Sequence, residues 1–191
     1  MGTELESLID HLEANFGRIE SGWYSQEPAD PAIQVVECRN GKIGGVTAIS
    51  TLGLGSFALQ SPVSKKQIRQ ELFVMLKDGQ LDPRLLAILD QVARESVRTD
   101  RPVLRGEVIQ KQNPVLENKD FVALYVTLPI YYPNNFWTFR DENQGDIAFG
   151  WLLPIKEKEL LYVQQNGWSE FEELVDKAKF DLFDLDRPSL V

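Results

Sequence analysis

Apolar residues recur at helical spacing at the start of the chain. Leu5, Leu8, Ile9, Leu12 and Phe16 fall on one face of a helix predicted over Glu4 to Asn15, since residues three and four apart share a face. Thr3 and Glu6 form a T-x-x-E capping box ahead of it, and Gly17 is its predicted stop. A polar stretch ending in Asp30-Pro31 leads to strands predicted at Ile33 to Cys38, Val46 to Leu52 and Gln70 to Lys77, the first pair joined by a turn at Asn40-Gly41. The strongest helix signal follows: Asp82 as N-cap, Pro83 at the first helical position, and a buried stripe of Leu85, Leu86, Leu89, Val92, Ala93 and Val97. Further strands are predicted at Val103 to Ile109, Phe121 to Leu128 and Ile147 to Leu153, with an aromatic loop over Ile130 to Asp146. Two helices close the chain. One runs from after Pro154 to Asn166-Gly167; the other starts at Ser169, with Glu172 completing a second capping box.

Strand runs broken by only a few helices predict an α+β fold, a mixed or antiparallel β-sheet packed with helices. No repeat or low-complexity linker interrupts the pattern, so a single domain over residues 1–191 is expected. The longest apolar stretch, Phe121 to Tyr132, is broken by Thr127 and Pro129 and is too short to span a bilayer. The first ten residues lack the basic start and apolar run of an export signal. Cys38 is the only cysteine, which excludes an internal disulfide and a thiolate metal cage. A cytoplasmic protein without membrane contact is expected.

Charge adds a preference for partners. The net charge is −9. Residues 1–30 hold seven acids and one base, residues 31–140 ten acids and fourteen bases, residues 141–167 five acids and two bases, and residues 168–191 seven acids and three bases. Acidic ends around a mildly basic middle repel nucleic acid and anionic lipid and attract basic partners.

No catalytic set emerges. His11 is the only histidine; it sits beside the apolar stripe of the first helix and reads as a partly exposed helix residue. Cys38 ends a strand and reads as buried. Gly53 and Gly55, in T-L-G-L-G-S, lack the Gly-Lys-Ser/Thr of a phosphate loop and the third glycine of a dinucleotide fingerprint, and read as tight turns. Asp181, Asp184 and Asp186 lack the glycine and closing Glu of a calcium loop and read as a solvated tail. No enzyme activity, cofactor or metal is expected.

The most informative segment is Tyr131 to Asp146, Y-Y-P-N-N-F-W-T-F-R-D-E-N-Q-G-D. Aromatic anchors rimmed by charge suit a protein-binding patch. Tyr132, Phe136 and Trp137 are the candidate anchors, and Asp141, Glu142 and Asp146 the candidate acids. The same aromatics could instead fold inward and cap the sheet.

Five segments, taken in order, resemble the suppressor of fused domain family: Thr47 to Leu59 with its Thr51-x-Gly53 turn, Arg69 to Leu76 (R-Q-E-L-F-V-M-L), Leu104 to Ile109 (L-R-G-E-V-I), the run with Pro154, Ile155, Glu159, Leu160 and Gly167, and the closing Asp186, Arg187 and Ser189. The resemblance covers about residues 20–190, as in the free-standing bacterial members. It implies an α+β sandwich and a non-enzymatic protein-binding role. It further implies an immunity protein that neutralises a cognate protein toxin, basic and such as a nuclease; the alternative is a regulatory peptide-binding module. The matched motifs themselves read as fold determinants.

Overall fold

The computed structural model describes residues 2–23, 32–111, 114–116, 119–141 and 144–191, with side chains from Leu8 onward. Helix α1 (Gly2–Phe16) buries Leu8, Leu12 and Phe16, spaced one helical turn apart. The predicted Thr3–Glu6 box lies outside the described side chains. Gly17 ends the helix at φ +85, and a Cβ there would meet the Arg39 carbonyl oxygen at 2.0 Å. The chain thereby turns straight into strand β1 (Gly17–Trp23). The sequence pattern missed β1 because only Gly17 and Ile19 of its residues are withdrawn from solvent.

The remaining elements are β2 (Gln34–Asn40), β3 (Val46–Leu52), β4 (Leu59–Gln60), β5 (Gln67–Lys77), α2 (Pro83–Arg98), β6 (Val108–Gln110), β7 (Phe121–Thr127), β8 (Thr138–Asp141), β9 (Gly145–Lys156), α3 (Glu157–Asn166) and α4 (Trp168–Asp176). One mixed sheet runs β1-β2-β3-β5-β9-β7-β6, with β4 on β5 and β8 on β9. Among the described pairs only β5 and β9 run parallel. The predicted α+β class holds.

Both faces of the sheet are covered. The first carries α1, the aromatic segment, α3, α4 and the tail residues Leu182 and Phe183, packed on Phe73, Met75, Phe149, Trp151 and Leu153. The second carries α2, packed on Leu72, Val74, Leu76 and Leu152. Alternate residues of β5 and β9 therefore feed opposite cores, which is why these strands read as unbroken apolar runs. Asp82 caps α2 as expected, its side chain accepting from Arg84 N. Strand β9 continues through Pro154, beyond Trp151, its last residue paired with β5; one edge of the strand is open there, where proline is tolerated. The strand predicted over Val103 to Ile109 shrinks to β6, and β8 forms inside the predicted loop.

Candidate partner-binding surface

The aromatic segment faces mostly inward. Tyr132 is 5% and Phe136 1% exposed. Phe136 packs among Phe16, Tyr132 and Phe149, with ring centroids 5.0, 4.6 and 4.8 Å away. These two expected anchors are core residues, because sheet residues Phe73 and Phe149 offer them an apolar floor. Trp137 is half-buried, and its Nε1 donates to the carbonyls of Pro129 and Tyr132, both at 3.1 Å, so it pins the loop. Tyr131 instead remains 44% exposed, edge-on to Trp151 and Phe183.

The two described acids of the patch stay near the surface. Asp146 is exposed and lies 3.8 Å from Arg140, its cross-strand partner in the β8–β9 hairpin. Asp141 accepts from Gln144 N at 2.9 Å. Glu142 lies outside the described residues. The structure thus keeps Asp141 and Asp146 on one hairpin and withdraws the aromatics meant to accompany them.

His11 joins α1 to this segment. Its Nε2 lies 3.2 Å from the Phe136 carbonyl oxygen, and its ring stacks on Phe136 and contacts Phe139 and Phe149. Burial lowers its pKa against that hydrogen bond. Cys38 is fully buried, and burial pushes its thiol up to about 12, which suppresses the thiolate.

Two buried carboxylates, Glu71 and Glu159, tie family-like segments to one another, and a third, Glu172, ties one of them to α4. Glu71, fully buried, accepts from the Gly53 and Gly55 amides, each at 2.9 Å, and from the Thr51 hydroxyl. Gly53 makes this turn possible: its φ is +107, and a Cβ would sit 2.5 Å from the Ala32 carbonyl oxygen. Glu159 is fully buried and paired with Arg187. Glu172, the expected cap, faces inward to Arg105, Thr127 and Tyr125; α4 starts at Trp168 after Gly167, with no side-chain cap. The acidic tail is likewise no solvated strand. Leu182, Phe183 and Leu185 are buried, Asp184 pairs with Lys77 at 2.9 Å, and Asp186 pairs with Lys119.

Sequence reasoning missed Trp168, 47% exposed beside the Arg105 guanidinium. A tryptophan opening a helix after glycine was the available signal. No helix among the described residues is long and apolar enough to cross a membrane.

The family model described as suppressor of fused protein matches residues 29–188. The chain is 18% identical over 168 residues to the immunity protein YqcF of Bacillus subtilis (strain 168), spanning 88% of this chain and 86% of that one. Among solved structures, a suppressor of fused homolog from Neisseria gonorrhoeae FA 1090 superposes with a TM-score of 0.75 at 22% identity, covering 98% of this chain and 97% of that one. Suppressor of fused in the Sufu-Fu complex gives 0.68 at 13% identity, covering 98% and 92%. Drosophila suppressor of fused gives 0.67 at 13% identity, where this chain covers 51% of the longer protein. With its motifs interlocked as described and most of its length matched, the chain belongs to the suppressor of fused family.

Proposed function

We propose that this chain is an immunity protein, acting in the cytoplasm by binding a protein toxin rather than by catalysis. The observation that carries this reading is the near full-length similarity to a protein named for immunity. The charge supports it: the net is −9, and Asp146 on the β8–β9 hairpin and Glu170, Glu173 and Asp176 on α4 stand exposed. A basic toxin, such as a nuclease with a cationic substrate groove, would be steered to such a surface and occluded.

The test is co-expression with the product of the adjacent gene, followed by titration of the purified pair. Rescue of growth, co-purification and inhibition that saturates at one equivalent support stoichiometric occlusion. Inhibition at far less than one equivalent would indicate turnover and refute it.

One feature favours a second reading, a regulatory module that holds an extended peptide. Strand β6 ends the sheet. A groove of about 240 Å³, lined by Val92, Val103 and Ile109 among others, lies between it and α2. A strand added to that edge could place side chains there.

A further inference from the structure

Trp168 is exposed yet fixed in place. Gly106, at φ +87, lies against its ring, and a Cβ there would meet the indole Cγ at 2.8 Å. The Arg105 guanidinium lies 5.1 Å from the ring centroid. Glu172 holds that guanidinium, accepting from its Nε at 3.0 Å, and is itself held by the Thr127 hydroxyl at 3.0 Å. The Tyr125 hydroxyl donates to the Trp168 carbonyl oxygen at 3.3 Å. Arg105 and Gly106 thus lie against the ring and Tyr125 of β7 holds the backbone beneath it, while nearly half of the residue faces solvent.

The helix it opens is predominantly acidic, with Lys177 at its C-cap among Glu170, Glu173 and Asp176. Residues 168–176 contain Glu170, Glu172, Glu173 and Asp176 and no base. Glu172 is turned inward; Glu170, Glu173 and Asp176 stand exposed on the outer face. Glu173 is paired with Lys177 at 2.8 Å. A rigid tryptophan costs little entropy when a partner covers it, and tryptophan and arginine are enriched among the residues that dominate binding energy. Among the other exposed aromatics, Trp23 ends an edge strand beside residues outside the described set, and Tyr131, near enough to Asp176 for that acid to help raise its pKa, packs edge-on against Trp151 and Phe183.

We propose that Trp168, seated on Arg105 and Gly106, is the anchor of the partner interface, and that the outer face of α4 receives a basic surface of the partner protein. This rests on the toxin-neutralising reading. The indole takes a Lys or Arg stem or an apolar side chain of the partner, and Glu170 and Asp176 pair with cations around it.

The experiment compares wild type, Trp168→Ala and the double variant Glu170→Lys/Asp176→Lys for binding and neutralising the adjacent-gene toxin. The double variant touches no buried contact, so it remains informative if Trp168→Ala is destabilised. Trp168→Ala should weaken binding by about 30-fold or more. The double variant should slow association and flatten its salt dependence. Acrylamide quenching of Trp168, isolated by subtraction of a Trp168→Phe variant, should fall in the complex. If wild type neutralises the toxin and both α4 variants bind it within two-fold, this interface is overturned while the toxin reading stands. If wild type neither rescues growth nor binds, the toxin reading fails and takes the interface with it. If Trp168→Ala instead abolishes self-association of the purified chain, the surface belongs to a second copy and the proposal is wrong.

Discussion

Arg187 grips Glu159 with both terminal nitrogens, Nη1 to Oε1 at 2.5 Å and Nη2 to Oε2 at 2.9 Å, and neither side chain is more than 1% exposed. Glu159 also accepts from Lys156 N at the start of α3 and from Leu190 N in the tail. Arg187 also donates to the Pro154 and Pro188 carbonyls. A helix start, the end of β9 and the chain terminus therefore close on one ion pair.

Breaking one side strands a buried charge. Arg187→Met or Glu159→Gln alone should cost about 3–5 kcal/mol, and the double change clearly less than the sum, because neither charge is then left unpaired. Urea unfolding of the four proteins in a double-mutant cycle measures this.

Glu71 contributes a pH dependence. Burial raises its pKa, opposed by hydrogen bonds from the Thr51 hydroxyl and the amides of Gly53, Leu54 and Gly55. A carboxyl raised on folding favours the fold most below its unfolded value of 4.5, and that contribution disappears as pH rises through the folded value. Glu71→Gln keeps an acceptor for the glycine amides and cannot ionise. The stability of wild type relative to Glu71→Gln should therefore fall as pH rises above 4.5; a constant difference between pH 4 and 8 in urea unfolding refutes this.

Asp184 works in the opposite sense. Hydrogen bonds from the Lys77 side chain, the Asp186 amide and Gln80 hold its pKa at about 2, against an ordinary 3.8. A lowered carboxyl supports the fold above 3.8, and that support is lost as pH falls toward 2. Asp184→Asn should loosen the tail, seen as faster hydrogen exchange at Lys77 N, which donates to the Phe183 carbonyl. It should also remove part of the acid limb of the stability curve.

The aromatic segment separates folding from recognition. Phe136→Ala should destabilise by about 3–5 kcal/mol through the cavity it leaves. Asp141→Lys/Asp146→Lys should change stability by only about 0.5 kcal/mol. On the toxin reading it should slow association steeply at low salt, a difference that vanishes at high salt. Thermal melts and stopped-flow association distinguish the two.

Much of the element map was readable. Helix α2 carried its cap, its proline and its stripe in the sequence, and β3, β5 and β7 stood out as apolar runs. Strand β1 was not readable, because it pairs with β2 through its backbone and buries almost no side chain. The candidate site fared less well. Tyr131 and Tyr132 are adjacent, but one is exposed and the other buried. Glu172 and Glu173 are adjacent, but one binds Arg105 in the interior and the other Lys177 at the surface.

The sequence by itself determined the α+β class, the family and the acidic balance, because periodicity, turn glycines and charge are local or additive properties. Tertiary structure alone decided which aromatics face water and which carboxylates are spent inside. Those outcomes depend on partners distant along the chain, such as Arg187 for Glu159, 28 positions away, and Arg105 for Glu172, 67 away, and a side chain's direction is set by the element packed against it.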